Sequence, residues 1–119
     1  MSSWALVEGP NGVLAAWETA GQVYFGRVDP RTGRIGPAVA APGEAGSRKH
    51  PALAVNPDGE VLLAWTEGTA WRRGGHLAWQ RFDRSGKPIG ELGRLPDGVP
   101  VWGVPAAYAR PDGAFVLAH

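Results

Sequence analysis

The chain has 119 residues, 44% of them hydrophobic, and its 12 basic and 11 acidic side chains leave a formal net charge of +1. That length fits one domain with a modest core, and the near-balance of charge removes the electrostatic case for a nucleic-acid or anionic-membrane partner. There is no cysteine, so disulfides, thiolate metal sites and a cysteine nucleophile are excluded.

Eighteen glycines and eleven prolines stand at regular positions between apolar runs. That regularity reads as an ordered, turn-rich β protein and not as low complexity. Six tryptophans suit the space between stacked sheets. The opening "MSSWALVEGP" has neither a basic n-region nor an apolar h-region, so it is no signal peptide; a leader in a longer, secreted parent stays compatible with this. No apolar run approaches the roughly 20 residues that span a bilayer. The chain as written therefore reads as soluble.

In chain order the first expected strand is 4–8, followed by Asn11-Gly12 and a second strand at 13–18. Third and fourth strands follow at 22–28 and about 35–40, joined by "DPRTG". The same text then returns. An apolar strand at 51–55 leads to "NPDG", a strand at 60–66 ends in Trp65, a strand at 76–82 leads to "DRSG", and a fourth strand falls at about 88–93. A third copy starts at 104–109 and, after Asp112-Gly113, reaches 114–119. Asn-Gly and Asp-Gly supply the positive φ that tight hairpins need, and the tracts between them are short and rich in Val, Leu, Trp and Phe.

Units of about 50 residues, each a four-stranded meander, describe blades of a β-propeller. The first two strands of each unit are apolar nearly throughout, which predicts burial on both faces; the third, "HLAWQRF", alternates and is expected to have one wet side. The fold class is therefore all-β: a propeller fragment of two four-stranded blades, about 4–40 and 50–93, plus a terminal half blade at about 104–119. The alternative is a two-sheet β-sandwich built from hairpins. Two and a half blades leave a bare sheet face and an unpaired strand edge, so self-association or pairing with missing blades is expected.

The stretch from "RKHPALAVNPDGEVLLAW" to "RPDGAFVLAH" resembles the C-terminal blades of sialidase-like, Asp-box-related propeller proteins, and the likeness extends over most of the chain from Val13. The family's Asp-box, Ser-x-Asp-x-Gly-x-x-Trp, corresponds to the turns Asp29–Gly33 and Asp83–Gly86, which keep the Asp and Gly and lack the Ser and Trp at family spacing. Both turns are read as structural, with Asp capping the hairpin and Gly in the left-handed conformation.

The resemblance implies, for catalytic members, three Arg on the substrate carboxylate, a Tyr–Glu nucleophile pair and an Asp acid/base. No residue here matches a catalytic motif, and Tyr24 and Tyr108 are read as packing residues. The three His, at 50, 76 and 119, have no metal-ligand spacing, no Ser stands in a nucleophile elbow, and nothing calls for a cofactor. The expected function is a non-catalytic binding or interaction module for a carbohydrate or protein; the alternative is part of a sialidase-type glycoside hydrolase whose other blades lie elsewhere.

Propeller geometry gathers the loops 18–21, 41–50, 66–76 and 93–103 on one rim, where a rigid scaffold would present them. The loop 66–76 is about six residues longer than its counterpart at 18–21. The candidate ligand-binding residues there are Arg48, His50, Glu67, Trp71, Arg72, Arg73, His76 and Trp102, because Arg forks onto carboxylates and an indole stacks on a sugar ring.

Overall fold

The computed structural model describes residues 4–68, 75–100 and 104–119. Among them every regular element is a strand and there is no helix, hence none long and apolar enough to cross a membrane. Strands β1 (Trp4–Gly9), β2 (Gly12–Thr19), β3 (Gln22–Val28) and β4 (Val39–Ala40) form sheet 1. Strands β5 (Arg48–Val55), β6 (Val61–Glu67), β7 (Gly75–Phe82) and β8 (Pro88–Val99) form sheet 2, and β9 (Ala106–Ala109) with β10 (Phe115–Ala118) forms sheet 3. All pairings are antiparallel and follow chain order, as short tight turns require.

The expected strands are present with shifted ends. β4 is only a two-residue strand, preceded by a Val28–Ile35 bridge. β8 continues to Val99, well past 93, through two register shifts against β7. β5 starts at Arg48 instead of 51.

Each sheet has two faces, fixed by the register. We call front the face that carries the tryptophan of a second strand. In sheet 2 the front holds Val61, Leu63 and Trp65 beside Phe82 and Ala78, and the back holds Leu62 and Ala64 beside Arg81 and Trp79. In sheet 1 the front holds Trp4, Leu6, Ala15, Trp17 and Tyr24, and the back holds Leu14, Ala16, Val23 and Phe25.

One apolar core unites the back of sheet 1 (Leu14, Ala16, Val23, Phe25) with the front of sheet 2 (Leu53, Val61, Leu63, Trp65, Phe82). Phe25 and Phe82 meet at its centre with ring centroids 4.8 Å apart and planes tilted by 59°, a favourable aromatic arrangement. Sheet 3 lies on the other side of sheet 2: Phe115 and Leu117 face Leu62 and Trp79 across a cleft. The first strands of the three sheets are neighbours, β1 beside β5 and β5 beside β9.

Stacking explains a burial pattern that the sequence misjudges. β6 is buried from end to end and β7 exposes only His76 and Arg81, because sheet 2 is covered on both faces; the expected wet side of β7 is absent. β1 and β9 instead alternate between exposed and half-buried residues, because sheets 1 and 3 each have a neighbour on one side only. The sandwich alternative anticipates two layers, whereas there are three sheets with the middle one enclosed.

Candidate functional site

The loops between β2 and β3, β4 and β5, and β6 and β7 meet at one end of the stack. The Gly21 carbonyl accepts hydrogen bonds from the Gly46 N–H at 2.9 Å and the Arg48 N–H at 3.0 Å, and Gly68 N–H donates to the Ser47 carbonyl at 3.2 Å. Below these loops, the register aligns Arg48, Glu67 and His76 in one row across β5, β6 and β7.

Arg48 is only 1% exposed. Its Nε donates to Glu67 Oε1 at 3.2 Å, Nη1 to Gln22 Oε1 at 3.0 Å and to the Ala41 carbonyl at 2.9 Å, and Nη2 to the Pro42 carbonyl at 2.6 Å. Its Cζ sits 5.0 Å from the centroid of the Trp65 ring. Glu67 also accepts the Trp65 indole N–H at 2.8 Å and pairs with Arg94 Nη2 at 2.9 Å. Burial pulls the Arg48 pKa below the usual guanidinium value, and the Glu67 carboxylate opposes that shift. The group acts as a bolt between sheets 1 and 2: four of the guanidinium's hydrogen bonds end on protein acceptors inside the fold, so Arg48 does not stand ready for a ligand.

His50 has φ of 53° at the bulge of β5 between Lys49 and Ala52 and is half-buried, while His76 is exposed at the start of β7. Trp71, Arg72, Arg73 and Trp102, the remaining rim candidates, lie outside the described residues. The structure thus joins Arg48, Glu67 and His76 in one row and adds residues that sequence reasoning did not select. These are Gln22, Trp65 and Arg94, together with Glu18, whose Oε2 is buried without a hydrogen-bond partner among the described residues. Glu18 follows Trp17 by one position, where the second unit has Thr66 after Trp65, so the repeat gave no signal for it.

The opposite end is built from the Asp-Gly turns. Asp83 Oδ1 accepts from Ser85 N at 2.9 Å, Ser85 Oγ at 2.6 Å and Lys87 N at 3.0 Å, and Asp29 Oδ1 accepts from Arg31 N at 2.9 Å. The turn glycines Gly33 and Gly86 have φ of 73° and 88°, so the structural reading of both turns holds. Buried Asn56 was missed. Its Oδ1 accepts from Asp58 N and Glu60 N, and its Nδ2 donates to Glu60 Oε1 at 2.8 Å and across to the Gly113 carbonyl of sheet 3 at 3.1 Å.

Among the described residues, clefts open between the sheets. One of about 600 Å³ lies between sheets 1 and 2 at the turn end, with Leu14, Phe25 and Val39 on its walls and Arg27 and Arg84 at its mouth. Both arginines already donate to turn carbonyls, of Asn11 and Asp58 respectively. A second, about 470 Å³, lies between the back of sheet 2 and sheet 3, and a third, about 520 Å³, lies at the turn end among Glu8, Val55, Asn56 and Ala109.

Among the described residues, the front face of sheet 1 carries an open aromatic stack. Trp4 stacks on Trp17 with centroids 5.4 Å apart, and Trp17 stacks on Tyr24 at 5.8 Å, one ring from each of three adjacent strands. Trp4 is 59% and Leu6 71% exposed. Comparison of the chain with protein-family models, with curated proteins and with solved structures finds no match.

Proposed function

We propose that this chain is a non-catalytic interaction module, its three sheets being successive blades of a partial β-propeller of sialidase-like ancestry. Support for the propeller comes from the repeated contact between sheets, front on back, with the first strands β1, β5 and β9 side by side. The observation that carries the interaction reading is the open front of sheet 1, where Trp4 and Leu6 stand in solvent beside the Trp17–Tyr24 stack. Contiguous exposed apolar surface of this kind marks an interaction site, and tryptophan and tyrosine are favoured anchors there. Capture by a panel of immobilised proteins, glycans and the chain itself tests the reading. The expected result is a signal that Leu6→Glu reduces by about tenfold or more; equal capture of both forms overturns it.

A second reading, a carbohydrate at the loop end, is favoured by Glu18. Its Oε2, without a partner among the described residues, would accept from a sugar hydroxyl and so recover a buried hydrogen bond. Glu18→Ala should then lower glycan capture and leave protein capture intact. Neither tyrosine supports the hydrolase alternative: Tyr24 belongs to the aromatic stack and Tyr108 lies on sheet 3. Turnover of a fluorogenic sialoside, lost on substitution of an arginine or tyrosine, would reverse that judgement.

A further inference from the structure

The sheets stack with one polarity. The front of sheet 2 seats on the back of sheet 1; in sheet 3 the front is the face with Phe115 and Leu117, which stand at the repeat positions of Val61 and Leu63, and it seats on the back of sheet 2. Among the described residues two faces are left uncovered and they are of opposite kinds: the front of sheet 1 and the back of sheet 3. The second is small and apolar, with Tyr108 paired to Val116 and Ala106 to Ala118, and Tyr108 is 59% exposed. We propose that the open front of sheet 1 docks on the back of sheet 3 in a second copy of this chain, head to tail. This inference rests on the interaction reading of that front face and names its partner.

The occupant is chosen by continuity with the interfaces already inside the molecule. A front face is covered twice by the same solution, the back of a preceding sheet, and the chain itself presents one such back uncovered. Apolar character matches on both sides: Trp4, Leu6 and Tyr24 against Tyr108 and Val116. None of these carries charge, so they can be buried without burying an ion; the acid that shares this front is Glu8, exposed at the turn end of β1. The contact is heterologous, because the two copies contribute different surfaces, and such contacts run on into rings or open chains.

Heterology makes the test decisive. Light scattering and sedimentation of the 119-residue chain should give a mass that rises with concentration above the 12.6 kDa monomer. Leu6→Glu removes the front and Tyr108→Glu the back; each variant alone should stay monomeric. Mixed in equal amounts they should form a dimer of about twice the monomer mass, since one supplies an intact back and the other an intact front. Both substituted side chains are exposed, and the spectroscopic β-sheet signal and melt of each variant verify folding. If either fails to fold, Trp4→Glu and Ala106→Glu take their places on the same faces. Dimers of Tyr108→Glu alone would show front pairing with front: that overturns the head-to-tail proposal and leaves the interaction reading standing. Association unchanged by Leu6→Glu overturns both, and a wild-type chain that stays monomeric at every concentration overturns the proposal while array capture decides the reading separately.

Discussion

Arg48 lies over the indole of Trp65, 5.0 Å from Cζ to ring centroid, and that same indole donates to Glu67, the acid paired with Arg48. Cation, ring and carboxylate thus close a triangle within sheet 2, while Gln22 and the carbonyls of Ala41 and Pro42 bring in sheet 1. The closeness of Arg94 to Glu67 adds a second cation.

Removing the acid leaves a buried guanidinium without its counter-charge. Glu67→Ala should therefore destabilise the fold by about 3–5 kcal/mol, the usual penalty for breaking a buried pair from one side. Glu67→Gln, which keeps an acceptor for the Trp65 indole, should lose less. Urea unfolding followed by tryptophan emission measures both; a loss below about 1 kcal/mol for the alanine variant, the level of an exposed pair, would show that the cluster bears no structural weight.

Much of this was hidden from the sequence, for reasons particular residues make plain. The Asp29 and Asp83 turns were legible because every hydrogen bond involved is local. Asn56 was not, because half its role is a bond to Gly113 in a different sheet. Arg48, a charged residue next to a loop, reads as a candidate ligand-binding side chain on the rim; its acceptors at Gln22, Ala41 and Pro42 approach only when sheet 1 folds against sheet 2. Trp17 and Trp65 occupy one repeat position and read alike, yet Trp65 is fully buried while Trp17 belongs to an open stack. A strand's own pattern records what it can bury, and the number of neighbouring sheets decides what it does bury.

Asn56 should be sensitive to a change of a single atom. Asn56→Ala loses the two bonds that shape the β5–β6 turn and the two made by Nδ2, a deficit on the order of 2–3 kcal/mol for a buried amide. Asn56→Asp keeps the Oδ1 acceptor for Asp58 and Glu60 N–H, but it faces Glu60 Oε1 and the Gly113 carbonyl with a carboxylate in place of a donor. That variant should be more stable at acidic pH, where the introduced acid is protonated, than at neutral pH. Melting temperature against pH checks this, and a flat profile would count against the assigned donor role of Nδ2.

Trp79 and Gly93 are register partners on β7 and β8, and the indole lies against the space where a side chain would start. A Cβ on Gly93 would fall 2.1 Å from Trp79 Cε2 and 2.3 Å from Nε1, so the whole ring must move. Gly93→Ala should cost about 1–3 kcal/mol, as overpacking does, and should change the Trp79 emission. Trp79→Leu in the same chain should recover part of that loss, so the two substitutions couple in a double-mutant cycle. Additive effects would mean that the ring does not rest on Gly93.

Asp83 provides the pH test of the turn end. The Ser85 hydroxyl, followed by the Lys87 and Ser85 backbone N–H groups, stabilises its ionised form and holds its pKa below the ordinary 3.8. A carboxyl depressed in the folded state contributes stability that is fully present above the unfolded value and is lost as pH falls through the folded one. The β7–β8 turn should therefore weaken only below about pH 3.8. Ser85→Ala removes the first of these donors and should move the Asp83 titration, followed by carboxyl NMR, up toward the ordinary value. Asp83→Asn should make this turn's contribution independent of pH across the same acid range, with exchange of the Lys87 amide as the local readout. If the Asp83 titration is unmoved by Ser85→Ala, the hydroxyl at 2.6 Å is not what holds the carboxylate.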